Sequence, residues 1–415
     1  VDPATGKALA TVGVPAEPTA LALAPDAKTL YVTCGAPKGV VCAIDLATMK
    51  VAKPLAAGHT PTGVAPHPDG KRLYVCNRFD NDVSVIDVAA NKELSRIPAI
   101  REPVGTVATP DGKTVYVINH LPLARADGDV VTAQITAIDT ASGTVSQIPL
   151  PNGSTGLRGI CITPDGKHVL VTHILARFHL PTTQLERGWQ NTNALTIIDA
   201  ANRKSVNTVL LDDVDLGAAN PWGVTCSADG KWVAVAHFGT HEVSLIDLPA
   251  TLAKIAQIPA QPPTSGAPAY TGGRYMPTSQ AEIPNDLAFL VDLRRRIHLD
   301  GKGARGVAIA GGKAYAAMYF SDSLSAADLG PDSRPNVASL PLGSKPKWDK
   351  VRRGEVIFAD ATVCFQHWQS CASCHPDGRA DGLNWDLLND GIGNPKNNKS
   401  MLLTHKTPPD RKSVV

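Results

Sequence analysis

Residues 61–87 read PTGVAPHPDGKRLYVCNRFDNDVSVID. Two short apolar runs, GVA at 63–65 and LYV at 73–75, flank Asp69-Gly70, a pair that supplies positive backbone angles for a tight hairpin turn. The β-branched and aromatic residues suit pleated, buried strands. VSVID at 83–87 alternates, with Val83 and Val85 on one face. The tail NKELSRIPAI at 91–100 adds a more polar outer strand. Four antiparallel strands in a unit of about 40 to 45 residues is the signature of a β-propeller blade.

The unit recurs as PTALALAPDAKTLYV from Pro18, PVGTVATPDGKTVYV from Pro103 and LRGICITPDGKHVLV from Leu157. It returns as PWGVTCSADGKWVAV from Pro221 and ARGVAIAGGKAYAAM from Ala304. The first turns, at Asp26, Asp69 and Asp111, lie 43 and 42 residues apart; later spacings stretch to 54, 64 and 82. The extra length falls near residues 120–131, 173–195 and 254–300, and such insertions sit on the faces where propellers bind. The opening VDPATGKALATVGVP matches the end of a copy. The expectation is a mainly β chain: a seven-bladed propeller over 1–345, with six whole repeats and the tail of a seventh. The pattern LYV…N….VSVID with PDGK resembles the YVTN family of β-propellers. That resemblance specifies a fold and is nearly silent on function.

Composition narrows the classes. The 415 residues carry a formal charge of +2, so no strongly basic field is available for a nucleic acid or an anionic membrane surface. The longest basic run, Arg294-Arg295-Arg296, reads as a solvated strand or loop edge. No run approaches the roughly 20 apolar residues of a membrane span. Among the eight cysteines, five are scattered and read as small buried hydrophobes, although Cys34 and Cys42 flank a turn and could pair in an oxidising compartment.

His120, His173 and His237 each follow the second strand of a unit, and equivalent positions of successive blades ring one face of a propeller. They read either as a metal-binding ring or as ordinary polar loop residues. The segment 172–193, with His179, Arg187 and Trp189, reads as a cover for the propeller mouth, a docking element or a self-packed loop.

After residue 345 the repeat stops. DKVRRGEVIFADA at 349–361 suits a short amphipathic helix. Then comes CFQHWQSCASCHPDG, 364–378. In Cys371-Ala-Ser-Cys374-His375 two thiols can add to haem vinyl groups, with the adjacent histidine as iron ligand. The rival is zinc held by Cys364, His367, Cys371 and Cys374, which would leave His375 idle; a disulfide is a third reading. Gly354 and Phe358 upstream, the Ser-Cys-x-x-Cys-His site and GNPKN.KS…TPP downstream resemble the first haem domain of the dihaem cytochrome c peroxidase and MauG-like family, over about Lys350 to Pro409. That resemblance implies a small α-helical cytochrome c-like domain over 346–415. It implies covalent haem c on Cys371 and Cys374, with iron on His375. It departs in having a single Cys-x-x-Cys-His, so a second haem would lie past Val415.

Met401, which would raise the potential, and His405, which would lower it, are the candidates for the sixth iron position; an open position would suit peroxide chemistry. Trp385 reads as core packing or as a contact at the haem edge. The functional expectation is an exported, periplasmic c-type cytochrome. Its propeller serves as a docking platform, it transfers electrons to a redox protein or a second haem domain, and the resemblance implies a place in a cytochrome c peroxidase-like or MauG-like oxidoreductase. The alternative is a binding scaffold with a structural haem or zinc.

Overall fold

The computed structural model describes all residues except 3–4, 16, 181–188, 263–276, 331–334, 345–346, 388–390, 392 and 407–415. Each repeat builds one antiparallel sheet of four consecutive strands. In blade two these are Pro61–Pro66, Arg72–Asn77, Asp82–Asp87 and Lys92–Pro98. In blade one the outer strand comes as two pieces, Lys50–Val51 and Leu55–Ala56, both paired to Val40–Asp45. The hairpin turns form as PDGK dictates, with one refinement. The glycine alone takes positive φ (71° at Gly70), while the Asp69 carboxylate accepts the Lys71 N–H at 2.8 Å.

The core lies between the blades. In Arg72–Asn77, Leu73 and Val75 pack towards blade one while Tyr74 and Cys76 pack towards blade three. Both faces are buried, which is why the run is apolar without alternation. The innermost strands Pro61–Pro66, Pro103–Ala108, Ser154–Ile162, Pro221–Cys226 and Ala304–Ala310 pack in succession around a central channel. Here the recurrent glycine of the Pro-x-Gly start has its cause. A Cβ on Gly159 would sit 2.1 Å from the Trp222 carbonyl oxygen, and one on Gly223 2.3 Å from that of Arg305.

The expectation of seven blades and a helical cytochrome-like domain is overturned. The described residues form six four-stranded blades. Residues before Pro18 form no strand among those described; Val12 and Val14 instead cover the core of blade one. A segment with no partner strands has no ladder for its backbone groups. Helix is sparse: α1, Leu248–Gln257, lies in the blade-five insertion, and α2, Lys350–Ala359, and the single turn α3, Cys371–Cys374, follow the last blade with some 3-10 turns. The chain after α2 lies across one mouth of the propeller and takes its core from it.

The basic run is corrected too. Arg294–His298 is the fourth strand of blade five, but Arg294 and Arg296 are nearly buried, paired with Asp213 and with Asp213 and Glu242 respectively. Cys34 and Cys42 are buried free thiols.

Candidate functional site

α2 begins at Asp349, whose carboxylate caps the Arg352 N–H at 2.7 Å. Its Val356 and Ala359 pack on Phe238 and Phe320 of blades five and six. Val351, Gly354, Glu355 and Phe358 share a face at helical spacing and line a cavity of about 750 Å³. Gly354 lowers helix propensity, yet a Cβ there would meet nothing within 4 Å; its absence enlarges the cavity. The opposite walls come from Ala372, Pro376 and Met401 and from the propeller's Ile174, Trp222 and Phe238.

At α2's end, Asp360 accepts from Lys302 at 2.5 Å, from the Thr362 N–H at 2.9 Å, and lies 3.2 Å from His241 Nε2. Burial opposes its charge, but the Lys302 and Thr362 hydrogen bonds hold its carboxyl well below the usual range. The motif is next. Ser370 N–H donates to Ser373 Oγ at 3.0 Å across the turn of α3. Asn220 of the propeller clamps both serines: its Nδ2 donates to Ser370 Oγ at 2.8 Å, and its Oδ1 accepts from Ser373 Oγ at 2.7 Å. The Asn220 N–H in turn reaches Asn193 Oδ1 (3.0 Å), and Asn193 Nδ2 reaches the buried Asp212 (2.8 Å).

Cys371 is exposed, whereas Cys374 packs against Val131, Ile174, Leu383 and Trp385, with Asn191 Nδ2 3.2 Å from its sulfur. Burial pushes the Cys374 thiol up to about 12. His375 closes the turn, and its Nδ1 lies 3.0 Å from the Arg379 carbonyl oxygen. Donation from Nδ1 fixes the tautomer that leaves Nε2 basic. Met401 lies on the cavity wall, its N–H bonded to the Gly378 carbonyl at 2.8 Å. His405 falls in the 3-10 turn Thr404–Lys406, and its side chain is outside the described residues. Trp385 is buried and donates to Asp381 Oδ2 at 2.7 Å.

Asp377 plugs the channel. It accepts from Arg158 (2.8 Å) and pairs with Arg78 (2.7 Å), which also binds Glu102. Burial opposes ionisation, but Arg158 and Arg78 hold its carboxyl well below the ordinary range. Sequence reasoning missed this residue and the ring beneath it. In each innermost strand a register shift follows the first residue or residues, and the x of Pro-x-Gly falls in that bulge. The six x residues, Thr19, Thr62, Val104, Arg158, Trp222 and Arg305, all line the channel. Arg158, Trp222, Arg305 and Asp377 line the cavity as well. Aligning the repeats on this glycine, which is Ala20 in the first, would have exposed the ring.

The three histidines do not converge. His173 bonds the Ile174 carbonyl and Thr196, and His237 bonds the Ala218 carbonyl and Ser244. His120 bonds the Leu157 carbonyl through Nδ1, with Nε2 3.9 Å from Asp377. Burial lowers all three, His173 to about 4, so they are neutral. Among the described residues no cluster of three or more His, Cys, Asp or Glu side chains is arranged for a metal ion, so Cys364, His367, Cys371 and Cys374 do not assemble as a zinc set. Within 172–193, Arg187 lies outside the described residues, but the strands His168–Ala176 and Asn191–Asp199 reach the C-terminal segment through Ile174, Ala176 and Asn191.

No protein-family model matches the chain. Hydrazine synthase subunit beta of Kuenenia stuttgartiensis is 33% identical over 118 residues, 28% of this chain and 31% of that protein. Hydrazine synthase subunit gamma of the same organism is 42% identical over 66 residues, 16% of this chain and 19% of that protein. A solved chain of Kuenenia stuttgartiensis hydrazine synthase superposes with a TM-score of 0.51 at 26% identity, covering 78% of this chain and all of its own. This chain is a β-propeller similar to hydrazine synthase subunits. The β-propeller domain of Myceliophteria thermophila Cps50 (Swd1) gives the same TM-score, 0.51, at 16% identity, over 81% of this chain and 89% of its own, and speaks for the fold alone. The aligned stretches span under a third of each curated relative. No helix among the described residues is long and apolar enough to cross a membrane.

Proposed function

We propose that this chain is an exported redox protein that carries haem c covalently on Cys371 and Cys374, with His375 as an iron ligand. It transfers electrons within a multi-subunit assembly of the hydrazine synthase kind. The observation that carries the reading is the site of His375: the residue closes a one-turn helix bearing both thiols, its Nδ1 is engaged by the Arg379 carbonyl, and the turn borders an apolar cavity of about 750 Å³. The donor set fits the group. Two thiols stand one helical turn apart, Nδ1 of the adjacent imidazole is occupied by the Arg379 carbonyl so that Nε2 would be the nitrogen to meet a metal, and the neighbouring cavity lies within the volume range of cofactor sites.

Bound there, haem supplies a one-electron Fe(III)/Fe(II) couple. The protein's residues do the rest. Asn220 holds the turn through Ser370 and Ser373, and the Arg379 carbonyl orients His375. Phe358, Trp222 and Ile174 exclude water from the cavity. Met401, on its wall, would be a second protein ligand to the iron in this reading, and Met401→Ala is expected to lower the midpoint potential in a spectroelectrochemical titration. Electrons pass to a second haem domain or another redox subunit, in the periplasm or an equivalent exported compartment where haem c is attached.

The test is an absorption spectrum of protein produced with a haem-maturation system, oxidised and then dithionite-reduced. A Soret band and a sharp reduced α-band that survive denaturation, and that Cys371→Ala with Cys374→Ala abolishes, are expected. Protein without a covalently retained band overturns the reading.

A further inference from the structure

Arg305 occupies the same bulge position as Arg158, two x residues further round the ring with Trp222 between them. The two guanidiniums stand over the Trp222 ring, at 4.2 Å for Arg158 and 4.4 Å for Arg305. Their partners differ. Arg158 is neutralised by Asp377. Arg305 is enclosed by aromatic faces, with Phe238 at 4.5 Å and Tyr319 at 3.5 Å, and its side chain has no hydrogen-bond or ion-pair partner among the described residues. Its Nε is buried and unsatisfied. The two acids on the cavity wall are already paired, Glu355 with Arg352 at 2.6 Å and Asp377 with Arg158 and Arg78.

Cation–π contacts stabilise the charge but supply no acceptor, and the buried Nε–H is left unanswered. Burial draws the group down to about 10, far above neutrality, so it is charged. A desolvated guanidinium without acceptors is costly, and a planar fork at a cavity wall matches a carboxylate. We propose that Arg305 is the anchor for a carboxylate carried by the cavity's ligand, the end of a largely apolar, planar molecule whose body lies between α2 and Trp222. Resting on the haem reading, that carboxylate is a propionate of the porphyrin, and Arg305 is a positioning residue for it. The same chemistry could serve a small free carboxylate, so the test separates the two.

The probes are mesoporphyrin IX and its dimethyl ester. They are titrated into haem-free Cys371→Ala, Cys374→Ala protein and followed by quenching of tryptophan fluorescence. The free acid is expected to bind at least tenfold more tightly than the ester, since a charge-assisted pair is lost on esterification. Arg305→Leu is expected to remove that preference and Arg305→Lys to restore part of it. The comparison of acid with ester in unaltered Arg305 protein needs no variant to fold. Equal affinities for acid and ester, no binding of either, or a preference that survives Arg305→Leu would overturn the proposal. Acetate binding as tightly as the porphyrin acid would make this a small-anion site and overturn the assignment to a cavity ligand. Covalent attachment is read separately, from the denatured spectrum of the protein with both cysteines. Arg305 can therefore fail while haem c stands, and haem c can fail while the acid preference stands.

Discussion

Asp377 Oδ1 accepts a hydrogen bond at 2.8 Å from Nη2 of Arg158, a residue 219 positions earlier in the chain. The bond joins the loop after His375 to the innermost strand of blade four. With Arg78 on its other oxygen, the carboxylate ties the candidate cofactor segment to the propeller axis.

Replacing Asp377 by Asn is therefore expected to loosen that segment first. Arg158 loses its counter-charge and Arg78 keeps only Glu102, although the carboxylate's one-third exposure reduces the loss below that of a fully buried pair. The effect is about 1–3 kcal/mol. Limited proteolysis should cut after α2 sooner in the variant, while the propeller core resists at the wild-type rate. Unchanged cleavage would show that the pair does not hold the segment.

Asn220→Ala removes two hydrogen bonds to the serines of α3 and places alanine at a φ of 56°. A loss of about 2–4 kcal/mol in the docking of that turn follows. The expected outcome is less covalent haem per chain with unchanged far-ultraviolet circular dichroism. Full haem incorporation would remove Asn220 from the positioning role given to it.

Two inner-strand glycines should behave oppositely. At Gly159 a methyl group would sit 2.1 Å from a backbone oxygen, so Gly159→Ala should cost about 3 kcal/mol or more. At Gly306 the nearest atom to a Cβ is 3.8 Å away, and alanine should change stability by less than about 1 kcal/mol. Urea unfolding midpoints of the two variants check the contrast; equal losses would contradict the close approach of blades four and five.

Asp212 makes a pH prediction. Burial pushes its carboxyl up to about 6, against the hydrogen bonds from Asn193 and Ala218 that favour the charge. The folded chain thus holds a proton that the unfolded chain, with an ordinary value of about 3.9, has released. Its contribution is complete below about pH 4 and is lost as pH rises to about 6, by about 3 kcal/mol at most. The stability gap between wild type and Asp212→Asn should therefore shift in the variant's favour between pH 4 and 6.5. A gap that stays constant across that range would place the titration elsewhere.

The blades were legible because each physical requirement leaves a local mark: a glycine at the turn, an apolar run for strands buried on both sides, an aspartate closing the third strand. Their number was not. VDPATGKALATVGVP carries the composition of a blade's end, but composition does not supply partner strands, and Val12 and Val14 cover blade one instead. The cysteines and His375 were legible as a motif, whereas its supports were not. Asn193 lies on a strand while Asp212 and Asn220 lie in the segment that leads to the next blade, and nothing in their neighbours marks them as one chain of hydrogen bonds. The arginines at 294 and 296 misled for a related reason: the charges that admit them to the interior, Asp213 and Glu242, lie 81 and 54 residues away.

The bulges at the head of the six inner strands have an evolutionary consequence. Each bulge residue is offset from the regular pairing of its strand, so its side chain can change without disturbing the ladder. Thr19, Thr62, Val104, Arg158, Trp222 and Arg305 form one mosaic around a single opening, in which Arg158, Trp222 and Arg305 are coupled by stacking. A descendant of this protein could acquire a different ligand through one or two point changes in that mosaic, with the surrounding blades left as they are.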